Sequence, residues 1–211
     1  MKKPAIERLY AITPDELDTA VLLHRAVLAL QGGARVLQYR NKFADATLKL
    51  VQARGLRRLT REFKATFIVN DDARLALLAE ADGVHLGAGD GSISGARALL
   101  GDAKLVGVSC YNHAPLAFEA VQQGADYVAF GAFFPSNIKP GAVKAEAALL
   151  LTARHALHVP IVAIGGITPQ NGAALIGAGA DALAVISALW NAPDIEQAAQ
   201  DFSTLFNKAP V

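Results

Sequence analysis

The sequence predicts a single (β/α)8 barrel, formed by one α/β domain over residues 1–211. The first observation is that eight short apolar runs alternate with segments of helical periodicity. The second is that these runs are apolar on both faces, as are strands buried on both sides of a parallel sheet. The third is that 211 residues without a break in composition match the usual size of an undivided α/β barrel. A doubly wound open sheet is the alternative, although it usually has fewer strands.

The elements follow one another in strand–helix order. The predicted strands are Leu9–Ile12, Arg35–Tyr39, Thr66–Val69, Gly83–Leu86, Leu105–Ser109, Tyr127–Gly131, Ile161–Ile164 and Ala182–Ile186. The predicted helices are Pro14–Gln31, Ala44–Phe63, a short segment from Asp71, Ile93–Leu100, Pro115–Gln123, Ala145–Ala156, a segment between the last two strands and Asp194–Phe206. Each strand is too short and too apolar to be a helix, and each helix has a periodic apolar face.

Several limits of these elements have a local cause. The first helix has an apolar face formed by Val21–Leu23 and Val27-Leu28, and Gly32-Gly33 ends it. The triplet Gly-Ala-Asp occurs at Gly124–Asp126 and again at Gly179–Asp181, in both cases just before a strand. This position predicts structural turns at the end of the barrel that serves stability.

The composition excludes several functional classes. A content of 53% hydrophobic and 18% charged residues supports a large core, and a net charge of +1 gives no support to a nucleic-acid or membrane surface. The single cysteine, Cys110, excludes an internal disulfide framework and suits a reducing cytoplasm. The N-terminus lacks the apolar centre of a signal peptide, and Gly, Pro, Gln and Asn interrupt the uncharged stretch at 160–180. We expect a cytoplasmic protein with small-molecule partners, and a homo-oligomer stays open.

Two strand ends near the C-terminus carry the residues expected of a phosphate site. Gly165-Gly166 follows the seventh strand, and Ser187 follows the eighth. Bare backbone N–H groups beside helix N-termini suit a phosphate, and in (β/α)8 barrels the loops after these two strands are its usual site. Tight turns of any βα protein are the alternative, but they account less well for the pair of turns together.

Positive charge follows the second strand. Gln38, Arg40 and Lys42 are spaced at i, i+2 and i+4, which places them on one face of an extended chain. Unpaired charge at a barrel mouth is penalised, so two cations there need anions, and Arg40 can bind oxygens bidentately. The spacing favours a diphosphate clamp over a solvated loop.

Carboxylates follow the third and fourth strands. Asn70-Asp71-Asp72 ends the third strand, and Asp90 comes shortly after the fourth. An Asp or Asn at a helix start is commonly only an N-cap. Two carboxylates from adjacent strand ends, opposite Arg40 and Lys42, nevertheless predict a Mg²⁺ site that substrate phosphates complete.

The remaining polar residues at the predicted mouth have weaker signals. We expect Ser109 to make a substrate hydrogen bond, because nothing near it in sequence supplies the His and acid of a nucleophilic triad. Cys110 beside it is expected to be a packed thiol. The loop after the sixth strand contains Lys139 and suits a mobile segment that covers a phosphate. His85 fits a core position and a site position equally well.

In these residues the chain resembles thiamine-phosphate synthases. The motifs are Gln38–Lys42, Asn70–Asp72, Asp82–Gly87 with Asp90, Gly107–Ser109, Gly124–Tyr127, Phe134–Ser136 with Lys139, Gly165–Ile167 and Ile186-Ser187. They occur in the family's order from about Leu9 to Ala188. The resemblance implies a (β/α)8 barrel that joins 4-amino-2-methyl-5-hydroxymethylpyrimidine diphosphate to a carboxylated hydroxyethylthiazole phosphate. The products would be thiamine monophosphate, pyrophosphate and CO2, formed by a dissociative mechanism.

The resemblance also assigns residues to each part of the site. To the pyrimidine diphosphate it assigns Gln38, Arg40, Lys42, Asn70, Ser109 and Lys139, of which Arg40, Lys42 and Lys139 would be catalytic through the leaving diphosphate. To the thiazole phosphate it assigns Ser136, Ile138, Gly166, Ile186 and Ser187, and to Mg²⁺ it assigns Asp71 and Asp90.

Two positions depart from the family pattern. Ile138 occupies the place of a second hydroxyl in the loop after the sixth strand, and Ala88 occupies a place that is often Gln. Neither departure removes a charge or a metal ligand. The alternatives are a thiazole tautomerase of the same barrel family, a barrel that binds thiamine phosphates without turnover, and a phosphosugar isomerase. The tautomerase would have a His just past the Gly-x-Ser strand, where this chain has Cys110 and Tyr111.

Overall fold

Eight parallel strands close into a barrel in chain order in the computed structural model, which describes residues 3–135 and 144–208. The strands are β1 Arg8–Ile12, β2 Val36–Tyr39, β3 Thr66–Asn70, β4 Gly83–Leu86, β5 Leu105–Tyr111, β6 Tyr127–Phe130, β7 Ile161–Ile164 and β8 Ala182–Val185. The helices are α1 Thr19–Gln31, α2 Ala46–Glu62, α3 Ala73–Leu78, α4 Ile93–Leu100, α5 Ala114–Gln122, α6 Ala147–Ala156, α7 Gly172–Gly177, α8 Ser187–Trp190 and α9 Ile195–Lys208.

The first strand closes the barrel. Tyr10 of β1 lies opposite Val36 of β2 on one side and opposite Ala184 of β8 on the other. No sheet edge is left between these strands, so the doubly wound open sheet is excluded. The prediction of a (β/α)8 barrel is confirmed.

The core has two layers that follow from the alternation of side chains along each strand. One layer lies between the strands and the helices and contains residues such as Leu37, Phe67 and Leu183. The other fills the barrel interior, where Tyr10 and Tyr127 are among the largest side chains. Within the described ranges, no helix is both long enough and apolar enough to cross a bilayer.

An Arg–Asp pair recurs at the amino ends of the strands. The pairs are Arg57–Asp82, Arg97–Asp126 and Arg154–Asp181. In each pair the arginine lies on a helix, and the aspartate directly precedes an even-numbered strand. Each aspartate also accepts a backbone N–H bond from the preceding odd-numbered strand, from Phe67, Val106 and Ile161 respectively. Both Gly-Ala-Asp triplets supply such an aspartate, so their structural interpretation agrees with the fold.

Three of the differences from the predicted elements affect the mouth of the barrel. The first helix begins at Thr19 and not at Pro14, because the Asp18 carboxylate accepts hydrogen bonds from the N–H groups of Ala20 and Val21 and caps it. The fifth strand continues to Tyr111 through an irregularity next to Ser109. The short helix α8 was not predicted, since four residues show no periodicity. The first difference matters most, because it frees residues 13–18 to form a loop at the site.

The pair between Arg57 and Asp82 should contribute to stability. Its two N–H···O bonds measure 2.7 and 2.9 Å, and Asp82 also holds the Phe67 N–H. We expect Asp82→Ala to lower the free energy of unfolding by about 3 kcal/mol, because it leaves a buried guanidinium and a strand N–H without their acceptor. Urea unfolding followed by circular dichroism measures this loss.

The control is the exposed pair between Arg61 and Glu80, whose side chains are 55% and 71% exposed. Glu80→Ala should leave the unfolding midpoint unchanged, because solvent screens such pairs. Equal midpoint shifts in the two variants would contradict the structural role of Asp82.

Candidate active site

The predicted site residues within the described ranges gather at the carboxyl ends of the strands. Gln38 lies one residue before the end of β2, and Arg40 and Lys42 follow that strand. Asn70 ends β3, Asp71 and Asp90 follow β3 and β4, and Ser109 lies near the end of β5. The remaining predicted residues, Gly166, Ile186 and Ser187, follow β7 and β8. Ser136, Ile138 and Lys139 lie outside the described residues, so their positions remain predictions.

The loop after β1 holds the predicted cationic clamp. Asp15 Oδ2 lies 2.9 Å from Arg40 Nη1, and Asp15 Oδ1 accepts a 2.6 Å hydrogen bond from the Lys42 N–H. The Thr13 hydroxyl accepts from the Arg40 N–H and donates to the Arg40 carbonyl, both at 2.8 Å. Sequence reasoning missed Asp15 because it placed this segment in a helix. The sequence feature that could have identified Asp15 as a site residue is its position soon after a strand.

Asn41 sets the turn that follows β2. It is 5% exposed, and its Nδ2 donates to the Glu16 carbonyl at 2.6 Å while its Oδ1 accepts from the N–H groups of Phe43 and Ala44. A cleft of about 260 Å³ beside this turn is lined by Arg40, Lys42, Lys49, Asn70 and Asp71 among other residues. Lys49, on α2, is a third cation that the sequence did not single out.

A larger cavity of about 340 Å³ lies at the opposite end of the barrel. The N-terminal segment from Lys3 to Glu7 lines it together with Asp126 and Asp181, which belong to the structural ion pairs. None of the predicted site residues lines that cavity. The smaller cleft is therefore the candidate active site.

The two predicted metal ligands converge above Gly87. A Cβ at Gly87 would lie 2.7 Å from Asp90 Oδ2 and 4.0 Å from Asp71 Oδ1, and the Gly87 N–H donates to Asp90 at 3.0 Å. Asp71 adopts a left-handed backbone with φ 65°, and its N–H bonds the His85 carbonyl at 2.8 Å. Its neighbour Asp72 is the N-cap of α3. The N-cap explanation is thus correct for Asp72, whereas the Asp71 carboxylate lies near Asp90.

The pKa of Asp71 is raised to about 6, first by burial and then by the hydrogen bond and the negative charge of Asp90. The positive charges of Lys42 and Arg40 oppose this shift without cancelling it. Two carboxylates that share a site repel each other when both are ionised. The described residues contain no cluster of three or more His, Cys, Asp and Glu side chains suited to a metal ion, so ligand oxygens would have to complete any metal shell here.

Polar side chains also form the floor of the site. Gln38 Nε2 donates to Asn70 Oδ1 at 2.8 Å, and His85 Nε2 lies 2.9 Å from Ser109 Oγ. A histidine therefore does lie beside Ser109, contrary to the sequence-based expectation, because residues 24 positions apart meet on adjacent strands. The Nδ1 of His85 lies 3.1 Å from the Tyr127 hydroxyl, where a nucleophilic triad would have a carboxylate.

His85 is both a core residue and a site residue. It is 8% exposed, and it contacts the predicted substrate-binding hydroxyl of Ser109. Cys110 is fully buried, and burial raises the pKa of its thiol to about 12, so the thiol stays protonated near neutral pH. The expectation of a packed thiol agrees with this position.

The glycine turn after β7 packs closely on the loop after β6. Gly165 and Gly166 have φ values of 104° and 61°, and a Cβ at Gly166 would lie 2.7 Å from the Phe134 carbonyl oxygen. The Asn171 side chain braces the turn, since its Nδ2 donates to the Gly166 carbonyl at 3.1 Å. Glycine is needed here both for its backbone conformation and for the close approach.

The sequence profile of the thiamine monophosphate synthase family matches residues 9–189. The chain belongs to this family. A thiamine-phosphate synthase of Methylobacillus flagellatus is 55% identical over 204 residues, which cover 97% of each chain. One of Thiobacillus denitrificans is 52% identical and covers 96% of each chain. A solved structure, thiamine phosphate pyrophosphorylase from Pyrococcus furiosus, matches with a TM-score of 0.87 at 34% identity, covering 95% of this chain and 96% of that one.

Membership of the thiamine monophosphate synthase family confirms the prediction of an enzyme, a transferase of thiamine biosynthesis. These relatives favour neither the thiazole tautomerase nor the non-catalytic binding barrel. The Tyr111 hydroxyl accepts a 3.3 Å hydrogen bond from the N–H of Ala88, one of the two departures from the family pattern. In this family member, a tyrosine thus braces the loop that carries Asp90.

The raised pKa of Asp71 predicts how stability depends on pH. The ordinary value is 3.8, so between about pH 4 and 6 the folded protein binds more protons than the unfolded chain, and stability falls as the pH rises through this window. Asp71→Asn removes the ionisation. Without divalent cations, this variant should melt at a higher temperature than the parent at about pH 8, and the difference should shrink as the pH falls below about 6.

Asp72→Asn is the matched control, because Asn caps a helix as well as Asp does. It should melt with the parent protein at every pH. Thermal unfolding at several pH values measures both variants. A difference between Asp71→Asn and the parent that stays constant with pH would contradict the repulsion between Asp71 and Asp90.

Proposed function

We propose that this protein condenses 4-amino-2-methyl-5-hydroxymethylpyrimidine diphosphate with carboxylated hydroxyethylthiazole phosphate. The products are thiamine monophosphate, pyrophosphate and CO2. The observation that carries the proposal is the charge pattern of the cleft, in which Arg40, Lys42 and Lys49 face the carboxylate of Asp71. A diphosphate with a bound divalent cation is complementary to this pattern, because its phosphates are negative and its metal ion is positive. The names of the relatives give the same reaction class.

Mg²⁺ fits the pair of carboxylates above Gly87. Asp71 and Asp90 would hold it, because one or two carboxylates with substrate phosphates form its usual shell in proteins. The raised pKa of Asp71 supports this assignment, since a cation there would stabilise a carboxylate that burial and the neighbouring Asp90 both disfavour. When bound, Mg²⁺ supplies positive charge that neutralises the diphosphate.

The first chemical step needs stabilisation of the leaving group and no protein nucleophile. The C–O bond to the pyrimidine methylene breaks, and its electron pair leaves with the pyrophosphate. Arg40, Lys42 and the predicted Lys139 stabilise that developing charge. Asp15 keeps the Arg40 guanidinium in place, so this cation needs little reorganisation during the reaction, and it also anchors the Lys42 backbone.

The second step joins the two rings. The electron-rich aminopyrimidine carries the positive charge until the lone pair of the thiazole nitrogen forms the new C–N bond. The bond between the thiazole ring and its carboxylate then breaks to release CO2, and the electron pair left on the ring carbon takes up a proton from water. Gln38 donates through Nε2 to Asn70 Oδ1, which leaves Gln38 Oε1 and Asn70 Nδ2 able to bind the pyrimidine amino group and the diphosphate. Alignment of the two partners is then the main task of the protein.

We assign the thiazole phosphate to the turn after β7 and the start of α8. Gly166, Ile186 and Ser187 would surround it, together with Ser136 and Ile138 of the loop after β6. The rigid glycine turn, braced by Asn171, supports this assignment. The buried, unpaired Cys110 supports a reducing location, and we place the enzyme in the cytoplasm.

A coupled assay for pyrophosphate release with both substrates and Mg²⁺ tests the proposal. Release should require the pyrimidine diphosphate, the thiazole phosphate and the metal together. It should disappear in excess EDTA and in Asp90→Asn. Full activity in EDTA would exclude the metal assignment, and failure to form thiamine monophosphate with all components present would exclude the reaction.

Loss of a clamp cation should act on the chemical step. Lys42→Met should lower kcat roughly a hundredfold, which corresponds to about 3 kcal/mol of leaving-group stabilisation. Arg54→Met removes one positive charge from the exposed face of α2 and should leave kcat nearly unchanged. Steady-state kinetics separate the two variants. A Lys42→Met variant that changed only KM would make the clamp a binding element without a part in the transition state.

Ile138 should affect binding of the thiazole phosphate more than the rate of reaction, because that phosphate does not react. A hydrogen bond to a charged group contributes about 1.5–3 kcal/mol, so Ile138→Thr should lower the KM for the thiazole phosphate roughly tenfold with kcat unchanged. The measurement varies this substrate at saturating pyrimidine diphosphate. A KM that is unchanged or raised would mean that the missing hydroxyl is dispensable in this enzyme.

A further inference from the structure

We propose that a buried hydrogen-bond chain from Tyr10 through Tyr127 and His85 fixes the Ser109 hydroxyl as a hydrogen-bond donor to the ligand. In this arrangement His85 is a positioning residue, which acts on the ligand only through Ser109. The proposal rests on the proposed function in one respect, since it takes Ser109 to face the pyrimidine substrate.

Four side chains form the chain across the barrel interior. Tyr10 Oη lies 3.0 Å from Tyr127 Oη, Tyr127 Oη lies 3.1 Å from His85 Nδ1, and His85 Nε2 lies 2.9 Å from Ser109 Oγ. Tyr10 and Tyr127 are 1% and 0% exposed, whereas Ser109 is partly exposed at the mouth. The chain therefore begins in the core and ends at the site.

A glycine makes room for this arrangement. Gly107 pairs with His85 on one side and with Tyr127 on the other, and a Cβ at Gly107 would overlap the Tyr127 ring. The rings of His85 and Tyr127 lie 5.5 Å apart between centroids. The tyrosine ring thus occupies the space above β5 that a side chain would otherwise fill, which brings its hydroxyl to the histidine.

Only one direction of hydrogen bonding satisfies every buried hydroxyl hydrogen. If Tyr10 donates to Tyr127, then Tyr127 donates to His85 Nδ1, and His85 donates through Nε2–H to the Ser109 oxygen. Burial raises the pKa of both tyrosines well above the ordinary value, so both keep their hydrogens. In this direction the Ser109 hydrogen is free to point toward the ligand.

The opposite direction leaves a hydrogen without an acceptor. If Ser109 donated to His85, then His85 would donate to Tyr127, and Tyr127 would donate to Tyr10. Within residues 3–135 and 144–208, the Tyr10 hydroxyl has Tyr127 as its hydrogen-bond partner and no other. Its own hydrogen would then be buried and unpaired, which carries the full desolvation penalty of that group.

A donor at Ser109 selects ligands with a lone pair at that point. An unprotonated ring nitrogen of an aminopyrimidine and an oxygen of a diphosphate both meet this requirement. A ligand that presents an N–H group there would oppose the Ser109 hydrogen and would be rejected. Specificity at this position would then originate in the core of the barrel, three side chains away from the ligand.

The hydrogen position on His85 can be measured in the ligand-free protein. Nitrogen-15 NMR of the histidine-labelled chain near neutral pH distinguishes a ring protonated at Nε2 from one protonated at Nδ1, and the loss of one signal in His85→Gln assigns it. We expect protonation at Nε2. Protonation at Nδ1, or at both nitrogens, would overturn the proposal.

Binding measurements test the donor and separate its two possible acceptors. The probes are the 4-amino-5-hydroxymethylpyrimidine alcohol, which has no phosphate, and Mg²⁺ with inorganic pyrophosphate. Ser109→Ala should weaken one of them roughly tenfold in calorimetry, the alcohol if the acceptor is the ring nitrogen and pyrophosphate if it is the diphosphate. Unchanged affinity for both would contradict the proposal.

Two variants of His85 test its positioning role. His85→Gln keeps an N–H donor toward Ser109 and should retain most of the affinity, whereas His85→Leu should lose as much as Ser109→Ala. Equal losses in both variants would indicate packing and not positioning. A parent protein that bound neither probe would contradict the proposed function, while the NMR result would still decide the direction of the chain.

Discussion

The pairing of β1 with both β2 and β8 is the constraint on which the rest of the structure depends. It joins the two ends of the chain into one ring and sends every carboxyl strand end to the same face. Loops that are distant in sequence then become neighbours, as when Trp190 of α8 donates through Nε1 to the Ile12 carbonyl at 2.5 Å. The Arg–Asp pairs lie at the other end, so stability and chemistry occupy separate faces of the barrel.

The cationic and the acidic side chains of the site differ in whether a residue of opposite charge pairs with them. Arg40 already has a carboxylate partner in Asp15, with side chains only 18% and 23% exposed. Asp71 instead faces a second acid, and the nearby cations do not restore its pKa to the ordinary range. Arg40 is therefore held in place before a ligand arrives, whereas Asp71 and Asp90 are left with a repulsion that a cation would relieve.

The barrel interior combines polar and apolar side chains, and in the described part of the chain its buried polar side chains have hydrogen-bond partners. Gln38 pairs with Asn70, and His85 links Ser109 to Tyr127. Buried polar networks of this kind specify one arrangement because a partly satisfied network is costly. The polar floor of the site is thus continuous with the core. Buried core side chains can therefore determine whether a site residue donates or accepts a hydrogen bond toward a ligand.

The sequence by itself determined the fold class, the family and most of the polar residues at the mouth. Apolar runs of strand length and the spacing of Gln38, Arg40 and Lys42 are local patterns, and local patterns can be read along the chain. The boundary of α1 was less predictable, because its apolar face begins only at Val21 and the periodicity does not show that the helix starts directly after the Asp18 cap.

Only the tertiary structure decided how those residues are held. Asp15 meets Arg40 across 25 residues, His85 meets Ser109 across 24, and Tyr10 meets Tyr127 across 117. Such contacts depend on strand register and barrel closure, which no local pattern records. The same is true of the pKa of Asp71, since burial and the approach of Asp90 exist only once β3 and β4 are paired. The residue types of the candidate site were therefore visible in the sequence, whereas their charge states and hydrogen-bond directions follow from packing.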